Sequence, residues 1–138
     1  MSTQLKSKIA EQIVPSRNPD AAGAKGWITD TLGVTYDFND ATADILIPAS
    51  AAQPVYLLEV LNLMTAALSG GTATVDIGDG TTVGKYIANA AITEATVGDL
   101  VHSVVGAKLV ANATIRVTIG AGNSAGAGAC FVRIFRPA

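Results

Sequence analysis

The sequence predicts an all-β protein: an antiparallel β-sandwich, jelly-roll in type, of about eight strands, with an N-terminal arm. Three observations lead there. Short segments after residue 31 alternate apolar and polar side chains, the period of a strand with one buried and one wet face. Clusters of Gly, Asn, Asp and Ser separate these segments. A chain of 138 residues fits one domain, large enough for a core without disulfide or metal staples. The expected division is an arm or extension over residues 1–30 and a sandwich over residues 31–138.

Residues 1–30 hold many of the charges, among them Lys6, Lys8, Glu11, Arg17, Asp20 and Lys25. Leu5, Ile9 and Ile13 recur every four residues, which places them on one helix face. Pro15 stops such a helix, and residues 16–26 are loop chemistry. One reading is an arm that docks on a neighbouring subunit with Leu5, Ile9, Ile13 and Trp27 as anchors. The others are a short helix packed on its own domain and a frayed terminus.

The first strand is expected at residues 34–38. The second spans 43–47, closed by Pro48, with Ile45 and Ile47 on one face. Pro54 opens the run 55–67, apolar on both sides: Tyr56, Leu58, Val60 and Met64 on one face, Val55, Leu57, Leu61 and Leu63 on the other. A strand buried on both faces has this composition, and so does a buried helix. The β context and the Ser69-Gly-Gly turn favour the strand. The stretch 69–82 is the centre of the chain. In it Ala73, Val75 and Ile77 alternate with Thr72, Thr74 and Asp76, and Gly78-Asp79-Gly80 ends the strand.

Residues 81–98 form a connection with a helical turn near 89–95. Two short strands, 100–105 and 107–110, meet at Gly106, and Asn112 marks a turn. Residues 114–119 alternate with Ile115, Val117 and Ile119 inward. Residues 120–128 make a flexible hairpin loop. In the last strand, 129–135, Cys130, Val132 and Ile134 share one face, and Phe131, Arg133 and Phe135 the other. No repeat of fixed period is visible, which argues against a solenoid or propeller.

Patterns that suggest chemistry fail on spacing. Residues 78–85 lack the P-loop glycine where Asp79 stands, and Tyr86 replaces its Ser or Thr. Residues 120–126 have the wrong spacing for a dinucleotide fingerprint, and a strand follows them. Asp76 and Asp79 are two carboxylates where calcium takes six to eight oxygens. The alternative is a turn in which Asp79 bonds its own backbone. A nucleophilic triad would need His102, the only histidine, beside Ser or Cys130 and an acid. Cys130 reads instead as a small buried hydrophobe. The expectation is no catalytic residue, no cofactor and no metal. Arg116, Arg133 and Arg136 either share a surface that meets a partner's acids or lie on a solvated sheet face.

Charged residues make up 14% of the chain and the net charge is −2. A typical globular chain carries roughly 25% charged residues, so much of this surface is expected to meet other protein. Without a basic cluster, direct nucleic-acid binding is not expected. One cysteine excludes an internal disulfide and fits a reducing compartment. The first ten residues lack a signal-peptide core, and the run 55–68, broken by Glu59 and Asn62, is too short to span a bilayer as a helix.

Four segments together resemble a small β-sandwich type of tailed-bacteriophage virion proteins. They are Gly70-Gly-Thr-Ala-Thr-Val-Asp-Ile-Gly-Asp-Gly80, Lys85-Tyr-Ile-Ala-Asn89, Ala113-Thr-Ile-Arg-Val-Thr-Ile119 and Ala125-Gly-Ala-Gly-Ala-Cys-Phe-Val-Arg-Ile-Phe135. The resemblance covers residues 45–136 and leaves residues 1–30 outside. Among phage structural proteins of this size it implies a non-enzymatic capsid decoration, or cement, protein on the capsid exterior. Made in the host cytoplasm, such a protein would bind the major capsid protein, clamp neighbouring capsomers and self-associate as a homotrimer. Leu5, Ile9, Ile13, Trp27, Arg116 and Arg133 are the candidate partner-binding residues. The rival readings are a tail, fibre or baseplate component and a carbohydrate-binding jelly roll.

Overall fold

The computed structural model describes residues 27–137; residues 1–26, with Leu5, Ile9 and Ile13, lie outside the described residues. Seven strands are found in the described part: β1 (Trp27–Asp37), β2 (Thr42–Ile47), β3 (Val55–Ser69), β4 (Val75–Gly78), β5 (Leu100–Leu109), β6 (Ala113–Ile119) and β7 (Ala125–Pro137). They form a four-stranded sheet in the order β1-β7-β3-β5 and a three-stranded sheet in the order β2-β6-β4. All named pairs are antiparallel.

This order follows from rolling up one long hairpin. The first strand pairs with the last, β2 with β6, and β3 with β5. The innermost rung is β4, whose Ile77 is bridged by Ile87. Alternate rungs fall into alternate sheets, which is jelly-roll topology with the eighth strand reduced to one bridge. Ile77 and Ile87 exchange N–H···O bonds at 2.8 and 3.1 Å. The chain then leaves for a 3₁₀ turn at Asn89–Ala91. Residues 79–99 are rich in Gly, Thr and Ala and lack an alternating apolar set, so they have nothing to lay against the core as a strand. Ile87 and Ile92 fill that place as single buried side chains.

The tip of the rolled hairpin is the Gly78-Asp79-Gly80 turn. Asp79 Oδ1 accepts from the Thr81 and Thr82 amides at 2.9 and 2.7 Å, and Oδ2 from Lys85 Nζ at 3.0 Å. These donors hold the Asp79 carboxyl well below the usual carboxylate range, the Thr82 and Thr81 amides most strongly. Gly78 admits no side chain, since a Cβ there would overlap the Thr82 carbonyl oxygen.

The core lies between the sheets. Ile45, Ile47, Ile115, Val117 and Ile119 face it from one side, and Leu57, Val60, Met64, Cys130, Val132 and Ile134 from the other. The expected inward set of β6 is buried, and so are the sets expected to share a face in β2 (Ile45, Ile47) and in β7 (Cys130, Val132, Ile134).

Five expectations need correction. The central strand starts at Val75, not at Thr72, and takes in Gly78. About eight strands become seven, because 100–105 and 107–110 are one strand that passes through Gly106 at φ +69°. The first strand begins at Trp27, so residues 27–30 belong to the sheet by backbone pairing with β7. The last strand begins at Ala125, which shortens the loop after β6. In β3 the register against both neighbours shifts between Leu57 and Glu59. Leu58 and Glu59 both turn outward, so Val60, Asn62 and Met64 are buried while Leu61 and Leu63 face out.

Candidate interaction surfaces

The two outer faces of the sandwich differ. On the three-stranded sheet the face is mainly threonine with one ion pair: Asp44 and Arg116 stand directly opposite and join at 2.8 and 2.9 Å. The Arg116 guanidinium holds the Asp44 carboxyl below its ordinary value. Leu46 is exposed there.

On the four-stranded sheet the outer face carries apolar side chains on β3, β5 and β7, while β1 adds Thr31, Gly33 and Thr35. Register places Gly33, Phe131, Leu61 and His102 in one row, and Thr31, Arg133, Glu59 and Val104 in the next. The Phe131 ring lies against Gly33, where a Cβ would press on it. Tyr56 and Phe135 pack at 6.4 Å between ring centroids, tilted by 51°. Leu58, Leu61 and Leu63 are half-buried, whereas Val104 is 79% and Leu100 57% exposed. The polar groups of this face largely satisfy one another. Glu59 Oε1 accepts from Arg133 at 2.6 Å, and His102 Nδ1 lies 3.3 Å from Glu59 Oε2. The Arg133 hydrogen bond, and to a lesser degree His102, keeps the Glu59 carboxyl low.

A third feature is a cleft of about 500 Å³ at the end of the sandwich where β1 starts and β7 stops. Leu32, Val55 and Ile134 wall it from the sheet, and Pro48, Ala49 and Ser50 from the loop that carries the chain to β3. Asn112 Oδ1 anchors that loop by accepting from the Ala49 amide at 3.0 Å. Asp30 and Arg136 join across the mouth at 2.6 and 2.9 Å.

The three arginines therefore do not share a surface. Arg116 is on one outer face, Arg133 on the other and Arg136 at the cleft, each bonded to an acid of its own chain. Trp27 pairs with Pro137 at the start of β1. His102 and Cys130 lie on opposite sides of the four-stranded sheet. His102 is exposed, while Cys130 is fully buried and burial pushes its thiol up to about 12. Asp76 Oδ1 accepts from the Asn89 amide at 2.8 Å, a task separate from the Asp79 turn. Among the described residues no group of three or more His, Cys, Asp or Glu could hold a metal ion. The apolar outer face was missed in the sequence as a surface. Its signal was the two-sided apolar run of β3, the composition of a strand covered on both faces, whereas here one face is only half-buried.

No protein-family model matches the chain, and no curated protein matches it. Solved structures do. A chain of the acid-stable capsid of Helicobacter pylori bacteriophage KHP30 superposes with a TM-score of 0.62 at 16% identity, covering 78% of this chain and 87% of that one. A chain of the cyanophage Pam1 capsid asymmetric unit gives a TM-score of 0.56 at 15% identity, over 81% of this chain and 86% of that one. At such identities the likeness establishes the sandwich fold.

Proposed function

We propose that this chain is a non-enzymatic structural protein of a phage virion, and within that class a decoration protein on the capsid exterior. The observation that carries the reading is the outer face of the four-stranded sheet. Half-buried leucines, exposed Val104 and Leu100, and a Glu59 already paired with Arg133 make a surface suited to a protein partner. The two phage capsid chains with this fold support the virion setting.

The mechanism is mechanical. The jelly roll gives each subunit a rigid body. The exposed face and the β5 edge associate with further copies, as a homotrimer, which hides an edge strand. The trimer meets the major capsid protein at several points, and weak contacts then add through effective concentration.

The test is electron microscopy of virions labelled with antibody against this protein, together with sedimentation of the purified protein with undecorated shells. Label on the head exterior and co-sedimentation are expected. Label confined to the tail would favour a fibre or baseplate role and overturn the decoration reading. A glycan array tests the carbohydrate alternative. None of the described aromatic side chains lines the cleft, where a sugar ring would want one to stack on.

A further inference from the structure

We infer that the cleft beside β1 is the seat of the chain's own N-terminal segment, with the Leu5, Ile9 and Ile13 stripe as its occupant. The cleft has the size of a ligand site, about 500 Å³, and its lining sets Leu32, Val55 and Ile134 among polar neighbours that include Ser50, Gln53 and Asn112, with no described segment inside it. Its surroundings point to the N-terminal segment. The described chain begins at Trp27, which pairs with Pro137, and Pro137 itself lines the cleft. Residues 1–26 therefore join the body at the cleft's rim. The connection from Pro15 to Gly26 has two prolines and two glycines, so it can turn sharply. Fully extended it reaches about 40 Å, more than a return to the rim requires.

Charge and apolar pattern agree with this occupant. Residues 1–26 carry four cations and two anions, a net +2, while the rest of the chain carries five cations and nine anions, a net −4. Opposite net charges favour contact between the segment and the body as a whole, while apolar pattern and tether length single out the cleft. The stripe is three aliphatic side chains at helical spacing, a narrow apolar ridge with polar flanks. The cleft presents Leu32, Val55 and Ile134 at its floor and the Asp30–Arg136 pair at its mouth, which suits an apolar ridge with a polar back. Attachment a few residues away favours the chain's own segment over another copy's, because the local concentration of a short tether is in the millimolar range. The inference rests on the cleft and the tether, and it stands or falls separately from the virion reading.

Disulfide trapping in the full chain tests it. Ile9→Cys is combined with Ala49→Cys on the cleft wall, and a control combines Ile9→Cys with Asp44→Cys on the outer face of the three-stranded sheet, outside the cleft. Native Cys130 is buried and stays in place. Mild oxidation is expected to give an intramolecular link in the cleft pair at least about tenfold faster than in the control. Ser50→Cys in place of Ala49→Cys guards against a local defect at the wall and should behave alike. A second experiment mixes copies carrying Ile9→Cys alone with copies carrying Ala49→Cys alone. A fast intermolecular link there would assign the cleft to a neighbour's segment and overturn the inference. Equal rates in cleft and control pairs would overturn it too.

Discussion

Tyr36 Oη donates to Asn62 Oδ1 at 2.7 Å in the middle of the core, and both residues are buried. Asn62 Nδ2 lies 3.5 Å from Met64 Sδ, so the amide has partners at both ends. The bond ties edge strand β1 to β3 across β7, the strand between them. Gly128 of β7 makes room for it, because a Cβ there would overlap the Tyr36 hydroxyl. Removing only one member leaves a polar group in an apolar core. Asn62→Leu or Tyr36→Phe should each cost about 1–3 kcal/mol. The double variant should cost less than the sum of the two. Urea unfolding of all four proteins measures the coupling, and strict additivity would show that the bond contributes nothing.

Cys130 gives a pH dependence of definite sign. Burial raises the thiol from 9.0 to about 12, and it raises the Tyr36 phenol as well. The unfolded chain therefore releases these protons first. Stability that is fully present below pH 9 is lost as pH climbs toward 12. Cys130→Ala should lower stability at pH 7 through the lost packing, yet flatten the decline above pH 9. The flattening amounts to at most about 1.4 kcal/mol per pH unit, the contribution of one proton. Chemical denaturation from pH 7 to 11 compares the slopes. The native thiol should also resist a disulfide reagent at pH 8 and react once unfolded.

The sequence was legible where alternation runs unbroken. Ile115, Val117 and Ile119 in β6, and Cys130, Val132 and Ile134 in β7, are inward as their spacing requires. Alternation misled in β3, because the register shift at Leu58 reverses the parity of every later residue, and nothing in a leucine-rich run marks where a bulge falls. The first half of β1 was not legible either. Thr29, Asp30 and Thr31 are held by backbone pairing to β7, which asks for no apolar run. The arginines' partners were hidden for a related reason. Asp44 meets Arg116 and Glu59 meets Arg133 only through cross-strand register, and spacing along the chain does not encode it.

The hairpin tip should be sensitive to sterics more than to backbone angle. Gly78→Ala drives a Cβ into the Thr82 carbonyl, which belongs to the turn and has little room to move. Gly98 has open space around it but sits at φ +90°. Gly98→Ala should cost about 1–2 kcal/mol from the left-handed conformation alone. Gly78→Ala should cost more, and it should shift the Thr81 and Thr82 amide resonances, whose acceptor is Asp79 Oδ1. Equal costs with unmoved amides would mean that the turn absorbs the methyl group.

The apolar outer face separates folding from association. Val104 is 79% exposed, so Val104→Glu removes almost no buried surface and should change stability by less than about 0.5 kcal/mol. Its register partner is Glu59, and a second carboxylate opposite would compete for Arg133 and His102. The new charge would then be forced into any protein interface formed there, where an unpaired buried charge is costly. Sedimentation equilibrium should show a smaller assembly, and binding to shells should weaken while the unfolding midpoint stays put. Val104→Thr keeps the shape without the charge and should associate nearly as the parent does. If Val104→Glu assembles and binds like the parent, the four-stranded face is not the contact surface, and the exposed Leu46 side of the sandwich becomes the place to look.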